Sequence, residues 1–360
     1  MRKELTAWVE ARLPQLKRGE VKKRELPLLE IPQQLDSQPV TGDAGFRCYY
    51  RLNTRPSLLA VDSPPEKEKN SEFVAIAKQL RDLGVRAPHV YVWDQAQGFL
   101  LVEDLGDQLY LPNLSGGSVQ KLYGEAMATI VKMQARAQRP ADLPLYDRDL
   151  LLVEMNLLRE WFVPQLLGVD LTSEDNAILD ELFKQLCDAA LAQPQALVHR
   201  DYHSRNLLVM PENGPGVVDF QDAVWGACTY DLVSLLRDCY ICWPEQSVQA
   251  WALQYKQQAV EAGLFSDVDD AAFLRSFDLM GLQRHIKVLG IFARLYLRDN
   301  KPGYLNDLPL VIHYTLSVAK KYPEFEVFVS LFESKWLPAS KACSWYHSEL
   351  PMMDASGAKV

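Results

Sequence analysis

No apolar run in these 360 residues approaches the ~18 needed for a helix to cross a bilayer, so membrane insertion is not expected. A surplus of positive charge is lacking too. Lys and Arg number 38 against 47 Asp and Glu, a formal net charge of −9. Nucleic acid and anionic membranes both demand a basic surface, so neither is expected as a partner. A nucleotide is not excluded, because its charge is met locally by a metal ion and a few basic groups. The opening Met1-Arg2-Lys3-Glu4-Leu5 lacks the uninterrupted apolar stretch of a secretory signal. Cysteine is sparse, at Cys48, Cys187, Cys228, Cys239, Cys242 and Cys343. Only Cys239 and Cys242 form a C-x2-C pair, and without a second pair a zinc site is not expected. Reduced, mostly buried thiols in a cytoplasm fit this usage. Repeats and low-complexity tracts are also missing.

What is present is ordinary for a soluble globular chain: 48% hydrophobic and 24% charged residues. The length suffices for two lobes. The informative segment is His199-Arg200-Asp201-Tyr202-His203-Ser204-Arg205-Asn206, an H-x-D-x4-N pattern. Ala196-Leu197-Val198 leads in as a short strand, and Leu207 to Met210 reads as a second. Pro211-Glu212-Asn213-Gly214-Pro215 is a turn, with Asn-Gly suited to positive φ. Gly216-Val217-Val218-Asp219-Phe220 returns. One carboxylate, one amide and a second carboxylate are thus directed at a common point. Phosphoryl transfer from a nucleotide uses such parts: an acceptor for the substrate's hydroxyl proton and two oxygen ligands for magnesium. Alone, an H-x-D is common, and an Asp closing a strand is often only a cap. The order of loop, hairpin and second Asp carries the reading.

This segment resembles the aminoglycoside phosphotransferase family, whose fold is similar to that of the protein kinases. The resemblance spans roughly residues 35–320. It implies an α+β, bilobal fold: an N-lobe over 1–103 with a small antiparallel sheet, a mostly helical C-lobe over 104–340 carrying the catalytic loop and metal hairpin, and a tail over 341–360. It implies ATP and Mg2+ as cofactors. Asp201 would be the catalytic base, with Asn206 and Asp219 as metal ligands and also part of the catalytic set. Asp231, in Thr229-Tyr230-Asp231-Leu232, matches a family Asp that braces the loop.

In the N-terminal third, Leu5, Trp8, Val9, Leu13 and Leu16 share one helical face. Gly42-Asp43-Ala44-Gly45-Phe46-Arg47 is a glycine-bearing turn before an aromatic strand. By resemblance it covers the phosphates, which makes Gly42, Gly45 and Arg47 nucleotide contacts. By itself it is only a hairpin turn. A third-strand lysine that the family pattern calls for is missing, since Val61-Asp62-Ser63-Pro64-Pro65 stands there. Arg47, Arg51 or Lys67 is expected to supply that cation. Glu72 takes the position of the kinase ion-pair glutamate or is a first-turn charge. Glu103 and Leu105 resemble the hinge whose backbone meets adenine.

Helices are expected over 70–83, 117–138, 148–167, 173–191, 230–242, 246–262, 271–298 and 305–321. Candidate acceptor residues are Glu154, Trp161, His203, Arg205, Gln221, Asp222, Trp225, Tyr230 and Arg237. Among them His203, Arg205, Asp222, Trp225 and Glu154 are the expected substrate contacts. Trp161 is in core phase, and Arg237 reads as an ion pair with Asp238. The stretches Val217 to Gly226, Asp62-Ser63-Pro64-Pro65-Glu66 and Arg284-His285-Ile286-Lys287-Val288-Leu289-Gly290 resemble a narrower bacterial group. Its members are the cell-wall-recycling kinases of N-acetylmuramate and N-acetylglucosamine, so an amino sugar phosphorylated at its anomeric C1 hydroxyl is the implied acceptor. A kinase of another small alcohol or of an aminoglycoside, and a non-catalytic nucleotide-binding module, remain alternatives.

Overall fold

A computed structural model describes residues 1–18, 29–40, 45–141, 143–212, 214–264, 266 and 268–354. Gly42, Asp43, Ala44 and Asn213, together with the end of the tail, lie outside the described residues. The chain divides into two compact units, Met1–Gln108 with Leu208–Asp222, and Leu109–Leu207 with Ala223–Val360.

The first unit is built on a five-stranded antiparallel sheet. Its strands are β1 (Ser37–Val40), β2 (Cys48–Leu52), β3 (Leu58–Asp62), β4 (Val90–Asp94) and β5 (Phe99–Glu103), in the order β1-β2-β3-β5-β4. Helix α1 (Lys3–Lys17) lays its apolar face on the sheet. Leu5, Trp8, Val9 and Leu13 pack there with Leu52, Leu58, Ala60, Phe99 and Leu101. Helix α2 (Asn70–Asp82) buries Phe73, Ile76, Ala77 and Leu80. Strand β5 lies between two partners, and its Phe99, Leu100, Leu101 and Val102 are all buried. A strand covered on both faces therefore loses the alternation of apolar and polar residues.

The hairpin of β7 (Leu207–Leu208) and β8 (Gly216–Val217) comes later in sequence, after β6 (Gln195–Val198). From Leu208 onward it groups with the first unit. The Val217 N–H donates to the Arg86 carbonyl at 2.8 Å, and Val209 N–H to that of Gln108 at 2.7 Å. Phe220 stacks on Phe73 with centroids 5.0 Å apart.

The second unit is mainly helical. It contains α3 (Tyr110–Asn113), α4 (Val119–Arg136), α5 (Arg148–Leu157), α6 (Ser173–Leu191), α7 (Tyr230–Leu236), α8 (Glu245–Glu261), α9 (Asp270–Leu297) and α10 (Leu308–Ala319). Strand β6 pairs with β9 (Val224–Ala227). Helix α9 forms the centre: every residue from Phe277 to Gly290 is buried. A helix buried all round is normally apolar all round, yet this one carries Asp278, Arg284, His285 and Lys287 inside.

Three expectations need correction. The helix expected over 230–242 ends at Leu236, because Arg237 leaves helical geometry at φ −120°, ψ 54°. The helix from 148 changes to π-helical turns over Leu158–Leu166, with Pro164 inside. The stretch from Ser340, which the sequence suggests is loosely held, is docked as far as Met353: Cys242 N–H donates to the Pro351 carbonyl at 3.0 Å, and Met353 N–H to that of Cys242 at 2.8 Å.

Helix α9 approaches α5 backbone to backbone at Gly290. A Cβ there would stand 2.3 Å from the Leu157 carbonyl carbon. Gly290→Ala is expected to cost about 3 kcal/mol, the upper range for overpacking a filled core. Urea unfolding measures this, and an unchanged midpoint would contradict the close approach.

Candidate active site

The loop His199–Asn206 leaves β6 through a left-handed residue, Arg200, at φ +76°. Such a conformation strains a side chain larger than Asn or Asp. Asp231, at the start of α7, compensates for it. Its carboxylate accepts the N–H groups of His199 at 2.7 Å and Arg200 at 3.0 Å. Burial pushes the Asp231 carboxyl up to about 7, although the two N–H donors favour its charged form. The far end of the loop is held by Asp238, also buried, which accepts the Ser204 N–H at 2.9 Å and the Ser204 hydroxyl.

Asp201 lies between these anchors. Its own carbonyl accepts the His203 N–H at 3.1 Å and the Asn206 Nδ2 at 3.0 Å. Burial raises the Asp201 carboxyl, but Lys287, His203, Arg200 and His199 together outweigh it, and the group stays below its usual value. It is therefore ionised at neutral pH, as a proton acceptor must be. Burial lowers the His203 pKa and so favours the neutral ring. His203 meets the Tyr240 ring edge-on at 5.4 Å, and the Arg205 guanidinium lies 3.5 Å from the centroid of that same ring.

Glu154, on α5, is drawn into a buried ion cluster. Its carboxylate pairs with Arg200 and with Lys287 Nζ at 3.1 Å, and it accepts the Tyr146 hydroxyl. Lys287 also donates to the Tyr230 hydroxyl at 2.9 Å. Burial raises the Glu154 carboxyl, but Lys287, Arg200 and Tyr146 bring it below the ordinary range. Trp225 is half-buried on β9, and Trp161 is half-buried rather than sealed in the core. Arg237 does not pair with Asp238. It reaches Asp278 at 2.6 Å and Glu245 at 3.0 Å, because leaving the helix turns it toward α9.

In the first unit, Asp219 also takes a left-handed conformation, φ +66°, and accepts Gln221 Nε2 at 2.8 Å. Gln221 accepts Arg47 Nη1 at 3.4 Å. Arg47 is held besides by Ser63 Oγ at 3.0 Å and Asn70 Oδ1 at 3.3 Å, and it faces Glu68 at 3.5 Å. Its guanidinium covers the Phe73 ring at 4.6 Å. Glu68 also gathers the turn, accepting Phe46 N–H at 2.6 Å beside Gly45, whose φ of +126° a side chain would resist. Of the cations weighed as the missing lysine, Arg47 is the one tied to the Asp219 segment. Arg51 is engaged by Asp104 at 2.6 Å and Asp107 at 3.1 Å. Lys67 covers the Phe46 ring at 4.3 Å. Glu72 is exposed beside Ser71 in the first turn of α2 and makes no ion pair among the described residues. Asp222 pairs with Lys69 at 2.6 Å.

The Glu103 carboxylate binds Arg81 at 3.0 Å and Arg86 at 2.8 Å, while its N–H donates to the His89 carbonyl at 2.8 Å. The Leu105 side chain is buried and lies against Gly216. Among the described residues, no group of three or more His, Cys, Asp or Glu side chains is arranged to hold a metal. Magnesium in a phosphotransferase does not need one, since one or two protein oxygens and the substrate phosphates suffice. The Asn206 amide fits that role. Its nitrogen is committed to the Asp201 carbonyl, so the oxygen is the end turned away.

A family model described as a phosphotransferase enzyme family matches residues 36–268. The chain belongs to this phosphotransferase family. An N-acetylmuramate/N-acetylglucosamine kinase of Pseudomonas putida is 40% identical over 326 residues, covering 89% of this chain and 92% of that protein. One of the same name from Pseudomonas aeruginosa is 38% identical, covering 92% and 96%. Among solved structures, Plasmodium vivax ethanolamine kinase superposes with a TM-score of 0.57 at 12% identity, covering 91% of each chain. The α+β kinase-like fold is thus shared at an identity where sequence alone carries little.

Within this phosphotransferase chain, the motif reading missed the cations around the loop: Arg200, Arg284 and Lys287. For Arg284 and Lys287, charged residues inside the apolar run of α9 were the available signal. The Glu154 cluster supports loop and helix together. Glu154→Gln removes the carboxylate that pairs with Arg200 and the buried Lys287, a loss of about 3–5 kcal/mol. The folded carboxyl lies below its unfolded value of about 4.3. Its contribution is therefore complete above that value and fades as pH falls through the folded one. Urea unfolding should show the full gap between wild type and variant at neutral pH and a narrowing gap below about pH 4. Equal stability at neutral pH would contradict the cluster.

Proposed function

We propose that this chain transfers the γ-phosphoryl group of ATP, with Mg2+, to the anomeric C1 hydroxyl of N-acetylmuramate and N-acetylglucosamine. The reading rests first on the near full-length similarity to relatives that carry those sugars in their names. The observation that carries the chemistry is Asp201: an ionised carboxylate in a loop fixed at both ends by buried carboxylates.

Asp201 orients the sugar hydroxyl and takes its proton. The C1 oxygen bonds to the γ-phosphorus while the bond to the β-phosphate oxygen breaks, and ADP leaves. A hemiacetal hydroxyl is more acidic than an ordinary alcohol, so the proton moves late and positioning does most of the work. Asn206 and Asp219 are the magnesium ligands in this reading, and magnesium supplies neutralisation of charge on the phosphates. Gly45 and the backbone beside it approach the phosphates, with Gly42 assigned by resemblance alone. Arg47 takes the place of the third-strand lysine. The Glu103 carbonyl and the Leu105 N–H are the assigned adenine contacts, since the Glu103 N–H is already bonded to His89. His203, Arg205, Asp222 and Trp225 remain the proposed acceptor contacts, while Glu154 acts through Arg200 and Lys287. A cytoplasmic place in cell-wall recycling follows from the same reading. Among the described residues, no helix is long and apolar enough to cross a membrane.

Magnesium-dependent ADP release tests the reading on a panel of N-acetylmuramate, N-acetylglucosamine, kanamycin and choline. Wild type should turn over only the two acetylated sugars. Asp201→Asn should lose about a thousandfold in kcat, within the usual range for a general base. Arg47→Met should raise the KM for ATP about tenfold, the loss of one charged contact. Turnover of kanamycin or choline instead of the sugars would overturn the acceptor assignment, and an active Asp201→Asn would overturn the base.

A further inference from the structure

Three cations among the described residues are almost completely buried: Arg237, Arg284 and Lys287. Two are neutralised, Arg237 by Asp278 and Glu245 and Lys287 by Glu154. Arg284 is 4% exposed and has no carboxylate within ion-pair distance among the described residues. Its one hydrogen bond runs from Nη1 to the Cys239 sulfur at 3.5 Å. A thiol is a weak acceptor, and the Asp238 carboxylate acts on the guanidinium only from beyond ion-pair distance.

The position of Arg284 points to what the charge is for. Cys239 belongs to the short segment Asp238-Cys239-Tyr240, which faces the catalytic loop with each of its neighbours. Asp238 holds Ser204, and Tyr240 packs on His203 and carries Arg205 on its ring. Burial depresses the His203 pKa, and the charge of Arg284 acts in the same direction. Lys287, one helical turn further along α9, acts on Asp201. Arg284 therefore stands behind the segment Asp238-Cys239-Tyr240, on the side of the loop that carries His203.

The two proposed acceptors differ by one group. N-acetylmuramate bears a lactyl ether with a carboxylate where N-acetylglucosamine has a free hydroxyl. A planar guanidinium with nitrogens to spare is the side chain best matched to a carboxylate, and the match is strongest away from water. We propose that Arg284 binds the lactyl carboxylate of the acceptor and is the residue by which this enzyme favours a carboxylated amino sugar over a neutral one. The proposal rests on the sugar-kinase reading. A carboxylate at ion-pair distance arrives with N-acetylmuramate, and water takes its place when N-acetylglucosamine binds.

The test compares kcat/KM at saturating ATP for N-acetylmuramate, its neutral carboxamide and N-acetylglucosamine, using wild type, Arg284→Met and Arg284→Lys. Wild type should prefer the acid to the carboxamide by about 30-fold, the usual worth of a charged hydrogen bond. Arg284→Met should abolish that preference through KM, with N-acetylglucosamine altered less than about threefold and Arg284→Lys restoring part of it. Equal loss on acid and neutral sugars would assign Arg284 a structural or phosphate role and overturn the proposal alone. Equal use of acid and carboxamide by wild type would overturn it without any variant. Absence of wild-type turnover on every one of these sugars would overturn the kinase reading and the proposal together.

Discussion

Two buried carboxylates, Asp231 and Asp238, hold the loop His199–Asn206 by its backbone, and the rest of the site depends on that hold. A loop carrying a left-handed Arg200 has no reason to keep one shape by itself. Asp231 fixes its entry and Asp238 its exit. Both acceptors come from the segment directly after β9, so the strand pair β6–β9 and the start of α7 set the loop's position. Strain at one residue is offset by hydrogen bonds from its neighbours, which is how strained functional backbone persists.

Around this frame the chain gathers charge of both signs where a core is normally apolar. Helix α9 brings Arg284 and Lys287, α5 brings Glu154, and the loop brings Arg200. Lys287 and Arg200 do two things at once: they pair with Glu154, and they keep Asp201 ionised. The first unit makes a similar economy. Arg47 stands just before β2, not on β3, yet it reaches Asn70 at the start of α2, Ser63 after β3 and Gln221 beside Asp219. One guanidinium there links three parts of the unit that a shorter, single-ended ammonium does not span.

The sequence was most legible where chemistry is local. The H-x-D-x4-N loop, the hairpin and the helical faces of α1, α2, α6 and α9 depend on residues a few positions apart, and their spacing states the structure. The bracing role of Asp231 came through resemblance, and the structure shows its two hydrogen bonds. Legibility failed where partners are distant in sequence. Glu154 meets Arg200 and Lys287 across 46 residues and more than a hundred. Arg237 pairs with Asp278 and not with its neighbour, because the helix ends before it. The docking of Met353 against Cys242 and the packing of Leu350 and Met352 with Leu310 and Tyr314 carry no periodic signal. Of the three cations weighed for the phosphate site, Arg47 is the one hydrogen-bonded to the Asp219 segment, through Gln221.

The central claim is that an ionised Asp201 directs phosphoryl transfer to one oxygen, that on the anomeric carbon. N-acetylglucosamine labelled with carbon-13 at C1, incubated with ATP, Mg2+ and the full chain, tests it directly by NMR. The account predicts that the labelled signal becomes split by phosphorus, and that no split signal appears with Asp201→Asn. A phosphorylated product whose C1 signal remains unsplit would contradict it.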